Sequence, residues 1–426
     1  LQGEQTAVTD GNGNYRITLL PPGEYKLSVQ LEGFKPSERA DIRLSMDKVL
    51  RANLAVVPEA VQMEEQLVRT GTAPVVNVGS AEAGAVISSE FVSSVPIGRN
   101  FEQVALVAPT AAADAFGTSF AGAGSPENAY ILDGLTVSDP TFGNNNALML
   151  SNFVQEIDVK TGNFSAEYGR ATGGVVNVVT KSGSNEFHGS VFGNFSPSWL
   201  VQPDGKVGGN DGEAIGFRST PRKGDMDLDF GFEVGGPVMK DRLWFFAGFA
   251  PVVTERNGDR FYRANVLDGA GNMQRDADGF VVNQKIPGTD QYYKASTTTY
   301  QFAGKLTLLV DENNQLSASA YGTPTSATTV NSILGESTRR YLDTDTGSTN
   351  GLARYAGKFL DKRLIVEGLV GYHRSAVNDR TTGPGRTLPQ IQWRQPTQLT
   401  AFNVAASDGK VYEPLSAAAV AACTGD

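Results

Sequence analysis

The residues that could carry chemistry in this chain are few, and they are poorly grouped. His188 and His373 are the only histidines. Both fall inside strand-like stretches, with no cysteine or second histidine at a spacing that would hold a metal. Each therefore reads as a satisfied or lumen-facing side chain. Cys423 is the single cysteine, either free or paired with a thiol outside this sequence. Asp10-Gly11-Asn12-Gly13-Asn14 has calcium-loop residue types but lacks the glycine and terminal glutamate of an EF-hand, so it reads as a hairpin turn. The acidic run Asp268 to Gly279 reads as a solvated loop rather than a cation site. Asp133, which could pass for a catalytic acid, is followed by Gly134, and turn chemistry accounts for the pair. No GxxxxGK[ST] run is present to cradle a nucleotide. With no Ser/His/Asp, Cys/His or metal constellation, the chain supplies no catalytic residue and implies no cofactor. An enzyme is the least expected class.

Composition narrows the alternatives. The 426 residues carry a net charge of -10, against the basic patch that nucleic-acid binding needs. No apolar run reaches the roughly 18 residues of a membrane-spanning helix. Barrel strands alternate, however, and look only mildly hydrophobic in bulk. Forty-eight glycines and 40 % hydrophobic residues suit a β-rich chain with many turns. Leu1 opens in mid-pattern with no signal peptide before it, as in a mature or trimmed form.

Seven stretches alternate as strands: 186–196, 226–236, 242–252, 298–310, 314–323, 351–360 and 363–376. Met226, Leu228, Phe230, Phe232 and Val234 oppose Asp227, Asp229 and Glu233. Leu243, Phe245, Ala247 and Phe249 form another apolar face, and Leu364, Val366 and Val370 a third. A soluble sandwich would alternate too, but the connections discriminate. Tight turns at 237–241, 311–313 and 361–362 alternate with long polar segments at 197–225, 253–297 and 324–350, as in an outer-membrane barrel. Residues 377–426 read as a further external loop. Trp244 and Tyr321 stand where aromatic-girdle residues would. Seven strands cannot close a plugged barrel, which needs about 22, so the chain is expected to hold less than half of one.

The stretch that organises the rest runs from Phe153 to Phe195. Two apolar strands, Val154–Val159 and Val175–Thr180, flank a turn region in which Gly169, Gly173 and Gly174 supply space or backbone freedom. Beyond Lys181-Ser182-Gly183-Ser184-Asn185, Phe187, Val191 and Phe195 share one strand face, and His188, Ser190, Phe192 and Asn194 the other. The ordered residues Glu156-Ile157-Asp158-Val159, Tyr168-Gly169 and Gly173 to Lys181, including Asn177 and Thr180, resemble the end of the plug in TonB-dependent outer-membrane receptors. Asn163 to Arg170 and Gly235 to Phe246 are similar to the Oar-like group of that superfamily. Asn128 to Leu135, with Asp133-Gly134, again matches the plug pattern. Gly162-Asn163 stands where siderophore receptors commonly have Gly-Pro, which weakens substrate analogy with them.

The resemblance implies a mainly β chain in four parts. Residues 1–57 are similar to carboxypeptidase regulatory-like domains, small periplasmic β-sandwiches without peptidase activity. The match runs through Thr9 to Tyr15 and Leu20 to Tyr25 and covers only the later strands, so the sandwich is expected to be incomplete here. Strands are expected at Asn14–Leu19 and Glu24–Val29, with alternation continuing through Ile42, Leu44 and Val49–Leu54. Residues 58–70 are a linker, in which Glu64, Glu65, Gln66, Leu67 and Val68 occupy the place of the TonB box or are plain connection. Residues 71–183 would be a small α/β plug, with short helices at Ser88–Pro96 and Arg99–Val107 and a mobile Ala/Gly/Ser-rich loop from Thr110 to Pro126. Residues 184–426 would begin a large transmembrane β-barrel in outer-membrane lipid. The implied function is energised transport of a substrate through contact with TonB. The rival reading is an adhesion, assembly or export component working with other envelope proteins.

Overall fold

The computed structural model describes residues 5–18, 20–45, 49–58, 83–95, 97–165, 167–200 and 215–221. It further describes 225–270, 272–277, 279–285, 291–331, 340–360, 363–383 and 404–405. At the N-terminal end, strand β1 (Gly23–Val29) pairs antiparallel with β2 (Ser37–Leu44). A two-residue ladder joins Phe34–Lys35 to Val57–Pro58. Residues 14–18 form no strand, contrary to expectation. Asp10 instead closes the turn before them, accepting hydrogen bonds from the backbone N–H of Asn12 and Asn14. Val49 to Leu54 keep their alternating burial but find no ladder partner.

The next unit, residues 83 to 183, lies within the bounds expected for the plug and is called the plug here. Its elements are β3 (Ala83–Ser88), α1 (Ser89–Ser94), α2 (Phe101–Val104), β4 (Ala111–Ala113), β5 (Thr118–Phe120), β6 (Ala129–Leu132), β7 (Leu135–Thr136), β8 (Val154–Gly162) and β9 (Val175–Thr180). The sheet order is β3-β8-β9-β6-β7, with β9 and β6 parallel and the other neighbours antiparallel. Ser88 caps α1 by accepting from Phe91 N, and Asn100 caps α2 by accepting from Gln103 N. α1 buries none of its residues fully: Phe91 is exposed, while Val92 is half-buried and packs against the core. The second helix ends early and continues as a 3-10 turn, Ala105–Val107. Thr110 to Pro126 is a built hairpin, β4 with β5, rather than a loop. Asp114 organises it by accepting from the N–H groups of Phe116, Gly117 and Ser125 and from Ser125 Oγ. Asp133 and Gly134 have φ of 48° and 92°, which gives the β6–β7 hairpin its tight turn.

Beyond the plug, the described residues form one thirteen-strand sheet. Its main path is β10 (His188–Pro197), β11 (Met226–Met239), β12 (Leu243–Leu267), β13 (Gln291–Asp311), β14 (Asn314–Gly322), β15 (Ser348–Phe359) and β16 (Leu364–Ser375). All neighbours on this path are antiparallel. The long connections differ from expectation. β12 has 25 residues and continues to pair with β13 from Glu255↔Ser296 to Arg260↔Gln291. At roughly 3.3 Å per residue such a strand far outreaches a hydrocarbon core of about 30 Å. Thr325–Asn331 and Arg340–Thr346 likewise pair with each other. These extensions are rich in Thr and Tyr, which favour strands without building an apolar face, so alternation of hydrophobicity does not reveal them.

Side chains alternate across the large sheet. Val191, Phe195, Phe230, Phe232, Phe249 and Leu306 are exposed on one face. Phe246, Ala250, Ala303, Tyr321 and Leu352 point the other way and join the apolar core of the plug. The plug therefore lies against the inner face of a sheet whose outer face is apolar and uncovered.

Candidate functional site at the plug–barrel interface

Among the described residues no three His, Cys, Asp or Glu side chains gather as a metal would need. Chemistry concentrates instead where the plug meets the sheet. Phe153, fully buried at the start of β8, sits edge-on to Phe192 at 6.2 Å and Phe246 at 6.5 Å between ring centroids. Its seat needs Gly248, because a Cβ there would lie 2.5 Å from the Phe153 ring.

Around this apolar contact stand three ion pairs. Arg99 of the plug meets Asp229 of β11 at 2.7 Å, and its guanidinium lies 5.9 Å from the Phe192 ring centroid. Lys181 reaches Glu233 of β11 at 2.7 Å. In the opposite sense, Lys305 of β13 donates to Asp133 at 3.1 Å and also to the carbonyl and hydroxyl oxygens of Thr180. Thr180 in turn donates to Asp133 from its N–H and its hydroxyl. Tyr321 donates to the Leu132 carbonyl, Leu150 N–H to Gln301, and Asn146 to Ser375. Asp133 and Lys305 side chains are 5 % and 13 % exposed, so this is a desolvated pair whose members each depend on the other.

Inside the plug, Glu102 is buried with neutral donors only among its described hydrogen bonds: Thr118 N–H, Tyr130 O–H and Asn145 Nδ2. Burial raises its pKa above the usual carboxylate value, and these three hydrogen bonds only partly offset that. Asn128 extends the network, donating to Tyr130 Oη and the Thr118 carbonyl and accepting from Gly174 N–H. One polar core thus ties α2, β5, β6 and β9 together.

The comparisons with known proteins now bear on this geometry. Residues 179–414, more than half of the chain, match the family described as outer membrane beta barrel domain. The chain belongs to that family. Residues 2–57 match the carboxypeptidase regulatory-like domain. The barrel chain is 38 % identical over 435 residues to the TonB-dependent transporter Oar of Myxococcus xanthus, a match that takes in 94 % of this chain and 40 % of that protein. It therefore spans about two fifths of the curated relative's length. Solved structures that align include the outer membrane transporter YddB from Escherichia coli, at 13 % identity and TM-score 0.49, covering 68 % of this chain and 38 % of that one. The RagAB peptide importer aligns at 13 % identity and TM-score 0.37, covering 72 % and 50 %. At such scores the likeness adds no weight to the sheet order and the family match.

In this outer-membrane barrel the expected motif residues divide into two groups. Asp133, Thr180 and Lys181 come together at the interface, where Asp133 does more than close a turn: it binds the barrel wall through Lys305. Gly173 and Gly174 are required by space, since Cβ atoms there would lie 2.5 Å from Asn128 Oδ1 and 2.6 Å from the Phe120 ring. Asn177 is buried in the sheet opposite Asp158. Tyr168 stands apart, its ring 5.3 Å from Lys160 Nζ, and Gly169 faces open space. Glu64, Glu65, Gln66, Leu67 and Val68 lie outside the described residues, as does Cys423.

Trp244 and Tyr321 are not girdle residues. They turn inward, 2 % and 1 % exposed, because Trp244 Nε1 donates to Asn185 and Tyr321 to Leu132. His373 also faces the plug side, with Nδ1 against Asn350 Oδ1, while His188 lies exposed at the start of β10. In the acidic loop, Asp268 accepts from the N–H groups of Ala270 and Asn272, and Asp276 from Phe280 N–H. Those carboxylates close their own turns. The pairs Arg99–Asp229, Lys181–Glu233 and Lys305–Asp133 were not legible as pairs. The only local signal was acids placed on the less apolar face of β11.

Proposed function

We propose that this chain is part of a TonB-dependent outer-membrane transporter. The observation that carries the reading is how the plug is held. A unit with its own sheet lies on the inner face of a membrane barrel, held by ion pairs and hydrogen bonds around an apolar core that the two share. Such an interface keeps the barrel shut yet contains polar contacts that water can replace as the plug is remodelled. Similarity to the TonB-dependent transporter Oar supports TonB as the energy source. With no nucleotide motif in the sequence, the work would come from TonB, driven by the inner-membrane proton gradient. TonB would pair by strand addition with Glu64 to Val68. In this reading the short turns and the N-terminal domain face the periplasm, the long connections face outward, and Phe195, Phe230 and Phe232 contact lipid.

The test is binding of the cognate TonB C-terminal domain to the full-length protein and to its Val68→Pro variant. Proline removes a backbone donor that strand addition uses. Binding is expected for the native protein and lost in the variant. No binding to either, with the barrel folded, would sink the reading.

A further inference from the structure

The N-terminal domain does not hang free of the plug. One end of its β1–β2 ladder, where Gly23 pairs with Leu44 and Glu24 with Arg43, faces α1. Arg43 Nη1 donates to Glu90 Oε2 at 2.7 Å. A second contact reaches the barrel: Lys358, buried near the end of β15, donates to Gln5 Oε1 at 2.9 Å. Between domain and plug remains a gap of about 330 Å³ lined by Gly23, Glu24, Arg43, Glu90, Gln155 and Glu156. No apolar side chain lines it. Polar walls mark a docking that can be undone, unlike a hydrophobic interface.

What the docking holds follows from chain order. β3 is the edge strand of the plug sheet among the described residues, paired to β8 alone, and Ile87 is its single fully buried residue. With one buried residue in six, β3 has little burial to resist peeling. Glu90 stands in the first turn of α1, immediately after β3. The chain that leaves β2 at Leu44 enters β3 at Ala83, and the Arg43–Glu90 pair ties the two ends of that passage together. A load on the connecting residues therefore meets this pair as well as the β3–β8 ladder. The pair is the weaker link, because its side chains are 39 % and 66 % exposed.

We infer that the N-terminal domain is a salt-releasable clamp on the plug's edge strand. Docked, it suppresses opening of β3; released, it leaves β3 held by β8 alone. This goes beyond transport and requires no TonB.

Hydrogen–deuterium exchange on the full-length protein in lipid nanodiscs tests it. Arg43→Glu and Glu90→Arg should each speed exchange of residues 83–94 about two- to threefold, the gain that loss of an exposed ion pair allows. Combining the two substitutions should restore the native rate. Raising salt from about 50 mM to about 500 mM should speed the native protein but not the single variants. If Arg43→Glu also loosens residues 23–44, its own domain is disturbed, and Glu90→Arg with the double reversal decides. Unchanged exchange of 83–94 in Glu90→Arg, or no restoration in the double reversal, overturns the inference.

Discussion

Glu102 holds a carboxyl in the plug core, and burial lifts its pKa above that of the unfolded chain. A raised carboxyl pKa means the folded state binds the proton more tightly. The associated stability is complete below the unfolded value of about 4.3 and disappears as pH rises through the folded value. Asp114 and Asp139 of the plug act in the opposite sense: burial pushes their pKa values up, but hydrogen bonds outweigh it and lower them. The Glu102 contribution is therefore read as the difference between native and Glu102→Gln protein. The native excess in urea resistance, measured by pulse proteolysis across a pH series, should be larger at the acidic end of that window than at neutral pH. An excess that grows as pH rises through the same window would contradict the assignment. The motif glycines make a second, paired prediction. Gly174→Ala pushes a methyl group into the Phe120 ring and should cost about 1–3 kcal/mol. Gly169→Ala meets nothing within 4 Å and should stay within about 0.5 kcal/mol. Urea midpoints of the two variants separate them. Sequence marked both glycines alike, because a glycine announces missing bulk but not which neighbour takes the space.

At the scale of elements, the plug is attached by pairs of unequal worth. Lys305 and Asp133 are nearly dry, so Lys305→Met strands a buried carboxylate and should weaken plug seating by about 3–5 kcal/mol. Asp229 is 9 % exposed, but Arg99 is 38 % exposed and water already screens its side of the pair, so Arg99→Met should cost less. The check is the urea concentration at which protease begins to cut the plug while the barrel stays intact; equal shifts for both variants would argue against the ranking. Strands β10 to β16 were legible because lipid demands one apolar face and period-two alternation writes that demand into the residues. The Lys305–Asp133 pair was not, because its members lie 172 residues apart and each looks like an ordinary polar side chain on its own element. The hairpin at 111–120 was misread for a related reason: its Ala, Gly and Ser residues carry no pattern, and one side chain, Asp114, supplies the order.

For the whole molecule, the claim that matters is that the large sheet separates lipid from plug, and neighbouring residues of β11 test it. Phe232 points outward and is 48 % exposed; Glu233 points inward and pairs with Lys181. In a water-soluble sheet of the same topology, a lysine in place of Phe232 would remain solvated and change little. In a bilayer it places a charge in hydrocarbon, at about 2–4 kcal/mol near the midplane and less toward either interface. Glu233→Gln, one residue along, leaves the lipid face untouched and disturbs only plug seating. Folding of the full-length protein into lipid vesicles, followed by its urea midpoint and by protease access to the plug, should therefore split the two. Phe232→Lys should lower the barrel midpoint with the plug still protected once folded. Glu233→Gln should leave the barrel midpoint alone and expose the plug earlier. If Phe232→Lys folds as well as native, the uncovered aromatic face is not a lipid face, and the transmembrane placement of this sheet falls with it.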